Sequence, residues 1–266
     1  MASFNASDFM YGDKFSQLYG LKILNFDSSG LYSGVGSSDV EIYSQQVMRK
    51  AKPYYLGRSQ SKILQFPLTF GTNIPVTGME RDLIQNWLFG ETTYKKLLIV
   101  QDDLEGAWFN CFLTNPVPMY IANFNYAFQC TVTCDSPFAY SPLRTVTRTF
   151  AGDNIVQFDC TIFNRSSDKD YLYPNLTFEL NSVGNSFSLT NANDNDREFL
   201  FSNLSPNETI TVNNDLQILT SSTGLHRLDS FNKKWFRLVP GTNLIHVESG
   251  IGTCTITYYD RKKIGG

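Results

Sequence analysis

The chain has 266 residues, a formal net charge of −3 and a hydrophobic content of 42%. This apolar fraction is enough for a buried core and excludes wholesale disorder. The slightly negative net charge differs from that of a protein that binds DNA through its phosphates, which usually carries a basic surface. Aromatic residues make up 14%, which favours strands because flat rings pack well on a pleated surface.

The first half opens with strand-like patterns. Tyr19, Leu21 and Ile23 fall on one face of an extended chain, which predicts a strand. Two further strand-like runs between Val40 and Phe70 are joined around Lys50–Gly57. The joining segment is basic and aromatic, which is unusual for a core hairpin. We therefore predict an arm over Val40–Phe70 that leaves the domain and packs on another surface.

A single segment has a clear helical pattern. Thr77 and Glu80 form a capping-box pattern, and Gly90 is expected to end the helix. The apolar residues between them are spaced to share one face and are predicted to be buried together: Met79, Leu83, Ile84, Trp87 and Leu88.

Strands and a domain boundary are predicted after the helix. KKLLIVQDD and AWFNCFLTN indicate strands on either side of a turn at Leu104–Gly106. Pro116 and Pro118 follow, and then comes one long strand-like run, MYIANFNYAFQCTVTC. The motif CDSPFAYSP ends this run, so we predict two domains, residues 1–142 and 143–266.

The second half consists of short alternating runs. Turn residues separate them at roughly 8–12 residue spacing, which is typical of a β-sandwich. Trp235–Val239 precedes the turn pair Pro240-Gly241. The apolar residues of these runs are Leu176, Phe178, Leu180, Phe187, Leu189, Phe199, Phe201, Ile210, Val212, Leu216, Ile218, Ile245, Val247, Cys254, Ile256 and Tyr258.

The cysteines predict free thiols. There are five, at irregular spacing, which does not indicate a disulfide framework. Cys130 and Cys134 lie about 13 Å apart along a predicted strand, too far to share one zinc ion. Reduced thiols and an N-terminus without a signal-peptide pattern indicate synthesis in a cytosol.

No constellation of residues indicates catalysis. His246 lies in an alternating strand and is expected to face solvent. His226 lies beside Arg227 and Asp229, but no G-x-S-x-G motif presents a nucleophile. The run Asn193–Asp196 lacks the glycine and glutamate that close a calcium loop. We expect no catalytic residue, cofactor or metal, so the chain is not predicted to be an enzyme; scattered carboxylates leave a polysaccharide hydrolase as an alternative.

The chain resembles the distal tail proteins of siphophages. In the first half the likeness lies in ERDLIQNWLFG, YKKLLIVQDDL and LTNPVP…NFNYAFQCTVTCDSPFAY. In the second half, NETITVNNDLQI and FRLVPGTNLIHVESG resemble the galectin-like C-terminal domain of that family. The likeness covers most of the chain as short motifs in the same order.

This resemblance implies a mainly β protein and a structural role. It implies an N-terminal β-sandwich or split-barrel domain with one helix and a long arm, followed by a galectin-like β-sandwich. Six copies would form a ring at the distal end of the virion tail, in contact with the tail tube, the tape measure and tail-tip or baseplate proteins. DNA would pass through the lumen without specific binding, and each arm would embrace the neighbouring subunit through Arg49, Lys50, Lys52, Tyr54, Tyr55 and Arg58.

The galectin-like resemblance also raises a second function, carbohydrate binding during host adsorption. Trp235 is the residue that could stack on a sugar. Sugar-binding galectins carry a His-x-Asn-Pro-Arg strand and a Trp-x-x-Glu, and this chain has neither, because Arg227, Leu228 and Asp229 follow His226 and Leu238 stands three residues after Trp235.

Overall fold

A computed structural model describes residues 8–24, 40–60, 63–150, 158–181, 185–249 and 252–264. The chain divides into two compact units, Met1–Ser141 with Lys262–Gly266, and Pro142–Arg261. The sequence analysis had extended the second domain to residue 266. The chain instead returns to the first unit at Lys262, which forms an ion pair with Glu105, and Ile264 is buried in the first core.

The first unit contains a twisted antiparallel sheet, a helix and a separate hairpin. The described strands leave the sheet open, in the order β2–β1–β7–β8–β9–β6–β3, and β10 adds to β8. The elements are β1 (Phe9–Tyr11), β2 (Lys14–Phe15), β3 (Lys22–Ile23), β4 (Val40–Gln45), β5 (Tyr54–Gln60), β6 (Gln65–Gly71), α1 (Gly78–Phe89), β7 (Lys95–Ile99), β8 (Trp108–Ile121), β9 (Phe124–Cys134) and β10 (Ala139–Tyr140).

The strands β8 and β9 form one long hairpin, and the predicted interruption at the prolines is wrong. β8 runs through Pro116 and Pro118, because β7 covers its outer edge only as far as Cys111 and an edge strand tolerates the missing N–H of proline. The run predicted as a single strand instead turns back at Ala122 and Asn123. Both residues have positive φ, 47° and 70°, as a two-residue type I′ hairpin turn requires.

The helix α1 begins as predicted but buries only part of its apolar face. Thr77 accepts a hydrogen bond from the backbone N–H of Glu80, and the Glu80 carboxylate accepts one from Thr77, which completes the capping box. Among the described residues α1 is the only α-helix. Its buried residues are Ile84, Trp87 and Leu88. The predicted burial of Met79 and Leu83 is wrong: they are 79% and 54% exposed, because the sheet covers only a narrow stripe of the helix.

Two antiparallel sheets form the second unit. The strands are β11 (Arg144–Phe150), β12 (Phe158–Asn164), β13 (Asn175–Leu180), β14 (Phe187–Asn191), β15 (Arg197–Phe201), β16 (Thr209–Asn213), β17 (Ile218–Ser221), β18 (Gly241–Ser249) and β19 (Gly252–Tyr258). The short β20 (Arg261–Lys262) is in neither of these sheets and pairs with β10. One sheet has the order β11–β19–β13–β16–β17 and the other β12–β18–β14–β15.

The two sheets of the second unit enclose an aromatic core, as the alternation predicted. Phe178 of one sheet stacks on Phe187 of the other at a centroid distance of 4.2 Å, which makes the pair a β-sandwich. Two apolar residues of these runs, Leu216 and Ile218, are exposed. Leu216 lies in the β16–β17 turn, and Ile218 lies on the outer face opposite Asn213. No helix in the described residues is long and apolar enough to cross a membrane.

Gly252 offers a test of the sandwich. A Cβ atom at this position would lie 1.8 Å from the carbonyl oxygen of Glu179 on β13. We expect Gly252→Ala to lower the free energy of unfolding by roughly 1–3 kcal/mol, because the two strands would have to move apart. Urea unfolding measures this change. Gly78→Ala is the control, because a Cβ there meets nothing within 4 Å; equal stability of the two variants would contradict the geometry.

Candidate interaction surfaces

The arm is the hairpin of β4 and β5. Val40 pairs with Gln60 and Gln45 with Tyr54, with a bulge between Tyr43 and Ser44. The two strands form a sheet of their own. An isolated two-stranded sheet is only marginally stable in water. This indicates that the arm packs on another surface.

The arm brings together the six residues chosen from the sequence. Arg49, Lys50 and Lys52 lie in the turn, while the other three lie on β5: Tyr54, Tyr55 and Arg58. All six are exposed. The Lys50 ammonium lies 4.7 Å from the centroid of the Tyr54 ring, so positive charge and aromatic surface are adjacent in the turn.

The arm is shorter than predicted and more apolar. The segment Gln65–Gly71, which the prediction included, is the core strand β6, with Phe66, Leu68 and Phe70 buried. Sequence reasoning missed the exposed apolar residues of the arm, and the alternation in β4 was the available signal. These residues are Ile42, Tyr43, Val47, Met48 and Leu56, of which Met48 is 91% exposed.

The arm also concentrates positive charge. It carries four basic residues and one acidic residue, Glu41, so its net charge is +3. Because the whole chain carries −3, the other residues together carry −6. The arm is therefore electrostatically complementary to the rest of the same chain.

A second exposed surface lies at the far end of the β8–β9 hairpin, residues 117–124, which we call the distal hairpin. It contains no charged residue. Its exposed side chains are Val117, Met119, Tyr120, Ile121 and Phe124. The sequence analysis did not single out this surface, although an apolar run between two prolines and a turn was visible. Five large exposed apolar side chains within eight residues indicate an interaction site.

In the second unit, Trp235 is packed rather than free. Its ring meets Phe231 edge-to-face at 4.9 Å, and Arg197 Nε donates to its carbonyl oxygen at 3.4 Å. It is half-buried against the sandwich core. The Trp235 side chain therefore offers only part of its ring to a ligand.

Arg237 packs against the ring of Tyr171 in the second unit. Arg237 donates two hydrogen bonds to the Asp194 carboxylate, at 2.7 and 2.9 Å, and its guanidinium lies 3.7 Å from the centroid of the Tyr171 ring. The bond to Asp194 raises the pKa of Arg237. Tyr171 and Tyr173 remain partly exposed beside this pair.

A buried ion pair holds the loop that follows β17. Glu208 is fully buried and accepts two hydrogen bonds from Arg227, at 2.8 and 2.6 Å. Ser221 Oγ and the Ser205 backbone N–H also donate to it. Burial raises the pKa of Glu208, but these donors outweigh it and hold the pKa at about 2. The sequence analysis considered Arg227 only as a neighbour of His226, which is exposed.

The five cysteines are free and buried. Burial raises the pKa of Cys130, Cys134 and Cys254 to about 12, so these thiols are poor nucleophiles at neutral pH. Cys111 on β8 lies directly opposite Cys134 on β9. In the described part of the chain, no group of three or more His, Cys, Asp or Glu residues could hold a metal ion.

The Glu208–Arg227 pair predicts acid sensitivity. An unfolded glutamate takes up a proton near pH 4.5, whereas folded Glu208 stays ionised down to about pH 2. The unfolded state therefore binds more protons, and the free energy of unfolding falls as the pH drops from about 4.5 to about 2. We expect Glu208→Gln to remove this dependence and to destabilise the fold by roughly 3–5 kcal/mol, because Arg227 is left buried and unpaired.

Urea unfolding at several pH values between 2 and 7 measures both effects. The control is Glu179→Gln, at an exposed position on β13, for which we expect a change within about 0.5 kcal/mol. An unchanged acid dependence in Glu208→Gln would contradict the assignment.

Comparison with known proteins identifies the family. Residues 4–136 match the family described as phage tail protein N-terminal domain. Residues 138–258 match the family described as phage tail C-terminal domain. Together the two matches span nearly the whole chain. A search of curated proteins found no match.

Solved structures share the fold. The chain is similar to the Dit protein of phage SPP1, described as a paradigm of the hub adsorption apparatus in phages that infect Gram-positive bacteria, with 12% identity, a TM-score of 0.69, and 94% of this chain and 98% of that chain covered. It is also similar to a chain of the phage p2 baseplate in its activated conformation with strontium, with 10% identity, a TM-score of 0.51, and 94% and 97% covered. At such low identity the likeness shows the fold alone. The chain therefore belongs to the phage tail protein family and is a structural component of the virion tail with the fold of a siphophage distal tail protein.

Proposed function

We propose that six copies of this chain form a ring at the distal end of the tail. The ring joins the tail tube to the tail tip or baseplate and leaves a channel through which DNA passes. Membership of the phage tail family and the fold shared with a hub protein support this assignment. The observation that carries it is the arm, an exposed hairpin whose apolar side chains need a partner.

A ring provides that partner for every arm. In a closed ring each copy has a neighbour on either side, so each arm packs on one neighbour and each body receives one arm. The contact is head-to-tail, and it removes the exposed apolar residues of the arm, such as Met48 and Leu56, from water. An exposed two-stranded sheet in a free monomer would favour aggregation.

The distal hairpin supplies a second surface for contacts between copies. Pro116 and Pro118 lack the N–H group that an added strand would need as a hydrogen-bond donor. Strands of other copies are therefore not expected to pair along this edge. Its apolar side chains pack instead, and the absence of charge allows copies to approach closely. We assign the distal hairpin to the ring and the second unit to tail-tip or baseplate partners, and we propose the tail tube and the tape measure as partners of the ring as a whole.

The charge of the chain suits a DNA channel. A basic lumen would retain DNA through its phosphates, and the affinity would rise steeply as the salt concentration falls. Most of the acidic charge lies outside the arm, and the arm is engaged between copies. DNA therefore passes without being held.

Imaging and mass together test the ring. Negative-stain electron microscopy is expected to show a six-fold ring with an open centre. Light scattering on the same sample is expected to give about 181 kDa, six times the 30.2 kDa chain. A particle that stays at 30.2 kDa at high concentration, alone and with the tail tube protein, would contradict the proposal.

Substitutions in the arm test the observation that carries the proposal. We expect Met48→Ser with Tyr55→Ser to weaken assembly by tenfold or more, because each buried side chain contributes about 1.5–3 kcal/mol. Light scattering over a concentration series measures the loss. Ile218→Ser is the control, because Ile218 is also exposed but lies on the second unit; an equal effect of the control would contradict a specific role for the arm.

Carbohydrate binding by the second unit is a second proposal. The Tyr171 ring against Arg237, which Asp194 holds in place, gives it an aromatic platform with fixed polar groups, and Trp235 is a second, half-buried aromatic residue of the same unit. We expect binding to host wall glycans on an array and its loss in Tyr171→Ala and Trp235→Ala. Urea unfolding of Trp235→Ala shows whether a loss of binding reflects a loss of stability, because Trp235 also packs against the core. An array without binding would end this proposal.

A further inference from the structure

Two of the buried cysteines face each other across the central strand pair of the first unit. Cys111 on β8 lies directly opposite Cys134 on β9. Both side chains are fully buried and belong to the hydrophobic core of this unit. The register that builds the core therefore also holds these two thiols side by side.

The backbone hydrogen bonds around the two cysteines show which kind of cross-strand pair they form. The N–H of Asp135 donates to the carbonyl oxygen of Asn110 at 2.9 Å. The N–H of Cys134 points away from β8 and donates to the carbonyl oxygen of Leu64 at 3.0 Å. Because hydrogen-bonded and non-hydrogen-bonded pairs alternate along an antiparallel ladder, Cys111 and Cys134 are a non-hydrogen-bonded pair.

A non-hydrogen-bonded pair has the backbone spacing that a disulfide bond requires. Its Cα atoms lie about 4.5 Å apart, and its side chains are closer than those of a hydrogen-bonded pair. Disulfide bonds join Cα atoms that are roughly 4.4–6.8 Å apart. Cys111 and Cys134 can therefore be bridged without a change in the register of β8 and β9.

The electrostatics of the two thiols agree with their proximity. Burial raises the pKa of Cys111 above its ordinary value, and the neighbouring Cys134 and then Cys130 raise it further. A thiolate beside a second thiolate is disfavoured because like charges repel. At neutral pH both thiols are therefore protonated, so the unoxidised pair is a dithiol.

We infer that Cys111 and Cys134 are a redox pair that forms a disulfide bond between β8 and β9 under oxidising conditions. The oxidant is a small-molecule disulfide, such as oxidised glutathione. The thiolate of one cysteine attacks this disulfide, releases one small thiol and leaves a mixed disulfide. The second cysteine then attacks the sulfur of the first and releases the other small thiol. The pair loses two protons and two electrons, and the oxidant takes up both.

The other three cysteines have no partner in this geometry. Cys130 lies opposite Leu68 on β6, and four residues of strand, about 13 Å, separate it from Cys134. Cys160 on β12 and Cys254 on β19 belong to different sheets of the sandwich. Stacked sheets lie about 10 Å apart, which is farther than a disulfide bond joins two Cα atoms. Oxidation is therefore expected to be specific to Cys111 and Cys134.

The disulfide bond would secure the strand pair that carries the core of the first unit. It would close the loop of residues 112–133, which restricts the unfolded chain and so stabilises the folded one. A cytosol keeps thiols reduced, whereas the medium outside a cell allows disulfides to persist. Because a virion component moves from a cell to that medium, the bond would form after release and strengthen the unit there.

Peptide mapping of the oxidised chain tests the inference. The full-length chain is incubated with oxidised glutathione, both folded and during refolding from urea, so that burial of the thiols does not limit access. Free thiols are then alkylated, and chymotrypsin separates the peptide of Cys111 from that of Cys130 and Cys134. We expect these two peptides to be linked, with a mass two hydrogens below their sum, while Cys160 and Cys254 are alkylated.

Two matched variants identify the partner of Cys111. Cys130→Ala and Cys134→Ala remove the same atoms from neighbouring inward positions of β9. The linked peptides are expected to persist in Cys130→Ala and to disappear in Cys134→Ala. Free thiols in both the folded and the refolded samples, or a link that involves another cysteine, would overturn the inference.

Stability provides a second measurement. Oxidation is expected to raise the urea midpoint of the first unit by about 1 M in the native chain and in Cys130→Ala, and to leave it unchanged in Cys134→Ala. Tryptophan fluorescence follows this transition, since Trp87 and Trp108 lie in the first unit. Equal midpoints for the oxidised and reduced native chains would overturn the stabilising role of the bond. Both measurements use the single chain and do not depend on the proposed ring.

Discussion

The pairing of β8 with β9 is the constraint on which the first unit depends. Its register places Cys111 and Leu113 in the core, and a slip by one residue would turn both outward. The same pairing carries β7 on one flank and β6 on the other. Because the hairpin continues past the core, its far end must lie outside it. One strand pair thus produces both the hydrophobic core and an exposed apolar tip.

The exposed apolar surface of the first unit follows a pattern. The arm, the distal hairpin and the outward side of α1, with Met79 and Leu83, each expose large apolar side chains, whereas the core of the unit is closely packed. A monomer rarely exposes so much contiguous apolar surface without a partner. The first unit therefore has the exposed apolar surfaces expected of a subunit in an assembly. In the second unit, by contrast, the buried ion pair of Glu208 and Arg227 holds a surface loop in place.

The alternation of apolar residues was sufficient to predict the mainly β class, the sandwich core and the capped helix. The same alternation did not predict features that depend on where a residue lies relative to the sheet. Pro116 and Pro118 are compatible with β8 only because its edge is free there, and no local pattern reveals a free edge. Met79 and Leu83 fit an apolar helical stripe, but the width of the covering sheet sets how much of it is buried. The Glu208–Arg227 pair joins residues 19 apart, which spacing alone does not indicate.

The uneven distribution of charge bears on both the proposed assembly and the proposed passage of DNA. The arm holds +3 while the rest of the chain holds −6, so docking an arm on an acidic neighbour neutralises part of each. Opposite charges speed encounter and select the partner. If the arm packs on an acidic neighbour in the proposed ring, fewer of its cations remain to attract phosphates. The proposed contact between copies and the proposed passage of DNA are in this respect compatible.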